Sequence, residues 1–160
     1  MKIAVFAAVF VLGFGPVVAT APPALAAPRP ADRVVYLERT FAENVDVGAP
    51  GPSTGDLRAT RGLVRNSLDG RVIGSYATSQ MTVAVGLLGG SEERSVIMEI
   101  TIGKNDVTMV SMYVVPTNAP PAHRVVHPIV GGTGKYAGAR GTLTLVPLDA
   151  TQYRAVMRFV

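Results

Sequence analysis

The chain has 160 residues, of which 48% are apolar and 16% charged, and its formal net charge is +4. This length predicts one domain, and the composition excludes an intrinsically disordered chain. The 15 Lys and Arg residues form no basic run and there is no Trp, so we expect no nucleic-acid partner. The lack of cysteine excludes disulfides, thiolate nucleophiles and Cys-ligated zinc.

The N-terminus has the pattern of an export signal. Lys2 precedes an apolar run from Ile3 to Val18, and Ala24-Leu25-Ala26 ends the segment. A positive start, an apolar centre and an Ala-x-Ala site are the parts of a secretory signal peptide. A retained membrane anchor is the alternative, which the glycines and prolines of the segment disfavour as a spanning helix. We therefore expect residues 1–26 to be cleaved, leaving no stable membrane anchor, and residues 27–160 to form one secreted or extracytoplasmic domain.

Apolar and β-branched runs separated by Gly, Pro, Asn and Asp predict eight strands in the remaining chain. They cover residues 34–47, 57–64, 72–85, 95–102, 107–115, 124–130, 142–146 and 152–160. Asp69-Gly70 predicts a tight hairpin because both central positions of such a turn can take φ > 0. Gly103-Lys104-Asn105-Asp106 predicts a second hairpin.

The alternation of side chains and the short connections predict the architecture. In the last run, Tyr153, Ala155, Met157 and Phe159 share one face, which predicts a half-buried strand. Short strands joined in sequence by tight turns favour an all-β, eight-stranded antiparallel up-and-down β-barrel, because closure removes exposed strand edges. A β-sandwich is the alternative.

A glycine-rich segment precedes the last two predicted strands. Five glycines occupy eleven positions from Gly131 to Gly141. Tyr136 follows Gly134-Lys135 where a phosphate loop needs Ser or Thr, and a strand follows where a dinucleotide site needs a helix, so nucleotide binding is not predicted. We interpret the glycines as permitting close backbone packing between two strands, with Arg140 bracing the turn.

The same segment carries a resemblance to known proteins. Val130 to Gly141 resembles the Gly-Gly-Thr-Gly-Lys-aromatic-x-x-Ala-Arg-Gly signature of dirigent proteins and is similar to the equivalent loop of allene oxide cyclases. Tyr36-Leu37-Glu38-Arg39, Gly55-Asp56-Leu57 and Asp69 to Gly74 resemble bacterial relatives in order and rough spacing. The chain thus resembles a bacterial member of the allene oxide cyclase barrel-like and dirigent-like family. The resemblance implies a barrel with an apolar pocket, often trimeric, that holds a reactive small molecule while it cyclises or couples.

The resemblance also implies residues for the pocket. Plant allene oxide cyclases carry a carboxylate on the first strand, and Glu38 matches that position, which implies a catalytic role; a solvated outer-face position is the other interpretation. The family's second-strand asparagine and pocket cysteine have no counterpart here. The other polar-tipped strand residues predicted to bind substrate are Tyr36, Thr40, Tyr76, Gln80, Tyr113 and Tyr153. We expect no metal and no organic cofactor, and we interpret His123 and His127 as loop residues.

These observations leave three hypotheses for function. The first is an exported barrel that binds an apolar small molecule and, as an isomerase or cyclase, steers its ring closure. The second is a non-catalytic dirigent-like or carrier protein, and the third is a structural barrel with a filled interior. A catalyst requires a cavity of roughly 300 Å³ with Glu38 or a tyrosine projecting into it, whereas a filled barrel has apolar side chains throughout its centre.

Overall fold

The computed structural model describes residues 29–86, 90–116 and 123–160 of the chain. They form eight strands and one 3₁₀ helix: β1 Arg33–Val45, β2 Leu57–Arg65, β3 Val72–Val85, β4 Ser91–Ile102, β5 Asn105–Pro116, β6 Val125–Gly132, the 3₁₀ helix Gly134–Tyr136, β7 Gly141–Pro147 and β8 Gln152–Phe159. Each strand pairs antiparallel with its neighbours in sequence, and β1 also pairs with β8. The sheet is a closed barrel, which confirms the predicted architecture and excludes the sandwich.

The described residues cover the predicted domain almost completely. The predicted signal peptide, residues 1–26, lies outside them. Within the described part of the chain, no helix has the length and apolar character that crossing a membrane requires.

The hairpin between β2 and β3 forms as predicted, but its glycine serves a different purpose. Gly70 does not adopt a positive φ, and its N–H donates to the carbonyl of Ser67 at 3.1 Å. A Cβ at Gly70 would clash with the side chains of Ser67 and Asn66. Space, rather than a left-handed backbone, therefore requires glycine here. The β4–β5 hairpin does use a left-handed glycine, since Gly103 has φ +66°.

The interior of the barrel differs between its two ends. At the end where β8 finishes, apolar side chains fill the centre, among them Ile100, Ile102, Val107 and Phe159. Tyr136, from the glycine-rich segment, is buried there and stacks on Phe159 with ring centroids 5.4 Å apart. We call this the closed end, and the end where β8 begins the open end.

The glycine-rich segment packs closely, as its composition predicted. A Cβ at Gly132 would meet the carbonyl oxygen of Asp106, and one at Gly141 would meet that of Arg158. Both clashes are with backbone, which cannot move without breaking the sheet. The guanidinium of Arg140 donates to the carbonyl of Ala139 at 2.9 Å, which braces the turn before β7.

Candidate functional site

The open end of the barrel contains two adjoining cavities. The outer cavity measures about 280 Å³ and lies between the β1–β2 loop and the strands β2, β3 and β4. The inner cavity measures about 70 Å³ and lies deeper in the barrel. Arg58, Gln80 and Arg94 line both, so these three side chains mark the junction between the cavities. The outer volume is close to the lower limit of known ligand sites, which is about 300 Å³.

The inner cavity has a mostly apolar wall. Its apolar side chains are Leu37, Tyr76, Met98, Leu145 and Tyr153. Thr60 and Thr78 also line it, and their hydroxyls are hydrogen-bonded to each other at 2.6 Å. One hydroxyl donates to the other, so only one hydroxyl proton of this pair remains for a further hydrogen bond.

A buried ion pair stands at the junction. Arg94 donates from Nε and Nη2 to one oxygen of Glu92, at 2.8 and 2.7 Å, and the hydroxyl of Thr82 donates to the same oxygen at 3.1 Å. The side chains of Arg94 and Glu92 are only 8% and 3% exposed. Both residues face inward because β4 begins at Ser91, four residues before the predicted start at position 95. The predicted strand began at position 95, which left residues 91–93 in the preceding connection. The pairing of Glu92 with Arg94 is what allows these charges to enter the barrel.

Hydroxyl donors complete the polar part of the site. The phenol of Tyr113 donates to Oε1 of Gln80 at 2.8 Å. Burial raises the pKa of Tyr113, while the positive charges of Arg94 and Arg58 act in the opposite direction. Burial also raises the pKa of Tyr76, to about 12. Both phenols therefore remain protonated at neutral pH, and the proton of Tyr113 is held by Gln80.

The β1–β2 loop forms one wall of the outer cavity and is held by its own carboxylate. Asp56 accepts hydrogen bonds from the backbone N–H groups of Val47 and Ser53, at 2.9 and 2.7 Å, and these bonds lower its pKa. The N–H of Gly55 donates to the carbonyl of Thr82, and the N–H of Thr82 to the carbonyl of Asp56. These two backbone bonds attach the loop to β3.

His127 lies inside the barrel, which corrects its assignment to a loop. It is buried on β6, and its Nδ1 is 2.5 Å from the hydroxyl of Ser111. The ring of Tyr113 contacts it edge-on, with centroids 5.6 Å apart, and burial lowers the pKa of the imidazole. His123 precedes β6 and is exposed. In the part of the chain that the structure describes, no group of three His, Asp or Glu side chains is arranged to hold a metal ion.

Four of the predicted site residues come together at the open end. Tyr76, Gln80 and Tyr153 line the inner cavity, and Tyr113 is hydrogen-bonded to Gln80. They lie on β3, β5 and β8, so their proximity depends on the closure of the barrel.

The other three predicted residues face outward, and their expected pocket positions need correction. Glu38 and Tyr36 alternate with the buried Val35 and Leu37, and the two-residue period of a strand puts them on the outer face. The Glu38 carboxylate accepts a hydrogen bond from Nε of Arg65 at 2.7 Å, in an ion pair whose side chains are 26–33% exposed. Thr40 is exposed at the β-bulge of β1, where its hydroxyl donates to the carbonyl of Arg61. None of these three side chains lines the two cavities.

The sequence interpretation missed the charged residues of the site. Arg39, Arg58 and Arg94 line the inner cavity, and Glu92 lines the outer one. The available signal was the alternation itself: positions 92 and 94 have the same parity as Val96, Met98 and Ile100, which are buried. If the alternation is continued from Val96 toward the start of β4, the next two inward-facing residues are Arg94 and Glu92. The sequence would then have predicted buried charges, which are costly unless they are paired.

Comparison with known proteins supports the architecture. No protein-family model and no curated protein matches this sequence. A solved structure titled pyocyanin demethylase superposes with a TM-score of 0.67 and 18% identity, covering 81% of this chain and all of that chain. A dirigent protein described as a pterocarpan synthase gives 0.61 and 13%, covering 87% and 93% of the two chains.

A third solved structure has the same type of barrel. It is described as a nonspecific heme-binding cyclase that catalyses a (4 + 2) cycloaddition during neoabyssomicin biosynthesis. It superposes with a TM-score of 0.63 and 14% identity, over 82% of this chain and 65% of that chain. At these identities the likeness shows the fold alone: this chain is a barrel of the type found in a dirigent protein, a cyclase and a demethylase.

Proposed function

We propose that this protein binds a small organic molecule in the cavities at the open end of its barrel. One observation carries the proposal: the interior is packed with apolar side chains at the closed end and left open at the other. A structural barrel has no need for a space lined by charged residues, because burying such groups is costly. The three solved structures that share the fold are all named for reactions of, or binding to, small molecules.

The lining indicates a ligand with an apolar body and a polar end. Leu37, Met98 and Leu145 offer an apolar contact surface in the inner cavity. The junction at Arg58 and Arg94 offers guanidinium donors beside that surface. The proposal therefore keeps the apolar body expected from the resemblance and adds a polar group that fixes its orientation.

A catalytic role as a cyclase or isomerase is the second candidate. The hydrogen bond from Tyr113 to Gln80, with the guanidinium of Arg94 3.5 Å from the same amide oxygen, supports it. Such donors can stabilise negative charge that develops on a reacting oxygen, while the wall holds the molecule in one conformation. Under this hypothesis Tyr113→Phe slows turnover of the bound molecule without weakening its binding. A non-catalytic carrier shows no turnover, either as wild type or as Tyr113→Phe.

Export and self-association belong to the same proposal. The N-terminal pattern supports secretion, and recovery of the processed protein from culture medium tests it. The homotrimer implied by the resemblance is supported by an apolar strip on the outer face of β4, β5 and β6. Its most exposed members are Ile97, Met112 and Val126. Met112→Glu is expected to lower the mass measured by analytical ultracentrifugation, and a monomeric wild-type protein would overturn the trimer.

Native mass spectrometry with a blocked cavity tests the binding function. The Leu145 side chain lines the inner cavity, and Leu145→Trp is expected to fill it. Thr144 is the matched control, because it pairs with Val126 and Val156 on the outer face of the same strand. We expect wild type and Thr144→Trp to retain a co-purifying molecule, or to bind added N-phenyl-1-naphthylamine, and Leu145→Trp to lose it. Equal retention of the ligand by wild type, Thr144→Trp and Leu145→Trp, or no ligand binding by any of the three proteins, would contradict the proposal.

A further inference from the structure

Three arginines converge on the inner cavity, and they differ in how their charges are satisfied. Arg94 is paired with Glu92, and Nη2 of Arg39 donates to the carbonyl of Ala150 at 2.7 Å. The guanidinium of Arg58 has neither a hydrogen bond nor an ion pair with any described residue. It lines both cavities, so a guanidinium with five N–H donors borders the space that a ligand would occupy.

The surroundings of Arg58 disfavour a lone positive charge. Burial lowers the pKa of its guanidinium, and the like charges of Arg94 and Arg39 lower it further. Desolvation and nearby like charges both raise the free energy of the charged form. An arginine stays protonated under such conditions, so the free protein retains an unfavourable interaction that a bound anion would relieve.

The acidic residues of the site do not supply that anion. Glu92 is engaged by Arg94 and by the hydroxyl of Thr82. Asp56 accepts from the backbone of its own loop, as described above, and Oδ2 of Asp46 accepts from the N–H of Gly51 at 3.0 Å. All three carboxylates line the outer cavity, and none lines the inner one. Arg58 and Arg39 therefore leave the inner cavity with an excess of positive charge.

We propose that the ligand of this site is a small organic acid, whose carboxylate is bound by Arg58 at the junction while its apolar body contacts Leu37 and Met98. This inference rests on the proposed binding function and specifies the class of ligand. The planar guanidinium fork matches the two oxygens of a carboxylate, which a single ammonium group cannot do. The inner cavity beside Arg58 is small and mostly apolar, which suits a compact carboxylate attached to a hydrocarbon skeleton.

A pair of probes that differ only in charge tests the proposal. Isothermal titration calorimetry with butyrate and with neutral butyramide, whose three-carbon chains suit an inner cavity of about 70 Å³, measures the preference of the purified protein for a carboxylate. Because hydrogen bonds between a guanidinium and a carboxylate are stronger than those to a neutral amide, we expect butyrate to bind at least about tenfold more tightly than butyramide. The preference is expected to vanish in Arg58→Met and to fall to an intermediate value in Arg58→Lys, which keeps the charge but loses the fork.

Arg61→Met is the matched control. Arg61 lies three residues along the same strand, on the outer face, where its guanidinium lies over the ring of Phe41 at 4.9 Å. We expect this variant to keep the wild-type preference. The urea midpoint of Arg58→Met should equal or exceed that of wild type, because the substitution removes a half-buried positive charge that lies near two others. This measurement also verifies that the variant is folded.

The outcomes separate this inference from the binding function itself. Equal affinity of wild type for the two probes, or a preference that survives Arg58→Met, overturns the carboxylate inference and leaves the cavity as a binding site. Tighter binding of butyramide than of butyrate also overturns the carboxylate inference. Failure of both probes to bind wild type overturns the carboxylate inference. If Leu145→Trp then also retains the co-purifying molecule or the added N-phenyl-1-naphthylamine, the binding function is overturned as well.

Discussion

The buried pair of Arg94 and Glu92 gives the sharpest test of how the open end is held together. Arg94→Met removes two hydrogen bonds, of 2.7 and 2.8 Å, to a carboxylate whose side chain is 3% exposed. Removing one partner of a buried pair costs about 3–5 kcal/mol, since the remaining charge stays desolvated. With a urea m-value of about 2 kcal/mol/M, this lowers the unfolding midpoint by about 1.5–2.5 M. Glu92→Gln is expected to have an effect of similar size.

The double variant decides whether the two charges act as a unit. Independent effects would sum to about 6–10 kcal/mol, whereas we expect Glu92→Gln/Arg94→Met to be no less stable than the less stable single variant. The physical reason is that the double variant leaves no desolvated charge. Glu93→Gln, on the outer face of the same strand, is the control and should change stability by no more than about 0.5 kcal/mol. Additive losses in the urea denaturation curves would refute the reasoning.

Three further predictions concern single side chains. Glu38→Gln should lower the free energy of unfolding by no more than about 1 kcal/mol and leave ligand affinity unchanged, because Glu38 and its partner Arg65 both lie on the outer face. A loss of ligand affinity in titration calorimetry would show that Glu38 takes part in binding. The pKa of Tyr76 rises to about 12 in the folded state, so the unfolded chain loses the phenolic proton at lower pH than the folded protein. The free energy of unfolding should therefore fall by roughly 2–3 kcal/mol as pH rises from 10 to 12, and urea titrations of Tyr76→Phe should show a smaller fall. Burial lowers the pKa of His127, so the unfolded chain binds the extra proton, and stability should be lost as pH falls below about 6.5; an unchanged acid transition in His127→Gln would argue against this assignment.

The prediction of the strands succeeded where apolar residues alternate and failed where charges enter the barrel. β2, β3 and β8 begin where the apolar runs begin, and Tyr153, Ala155, Met157 and Phe159 do share the inner face. The start of β4 was predicted four residues late, because Glu92 and Arg94 resemble solvated residues when they are considered singly. Only their pairing across two residues of one strand makes their burial tolerable.

The candidate site shows the same division. Tyr76, Gln80, Tyr113 and Tyr153 were selected as polar-tipped strand residues, and the structure brings them to one end of the barrel. The same criterion also selected side chains on the outer face, since residue type does not say which face of a strand is buried. Glu38 was assigned through the resemblance, and the register that buries Leu37 turns it outward.

The sequence by itself determined the class of fold, because the two-residue alternation and the Gly, Pro and Asp punctuation depend on local residues alone. It also determined the closely packed glycine segment between β6 and β7. Only the tertiary structure decided which polar side chains meet at the open end, since closure of β1 on β8 brings together residues far apart in the chain. The lack of a partner for Arg58 among the described residues likewise follows from that closure, because the side chains around its guanidinium come from other strands of the barrel.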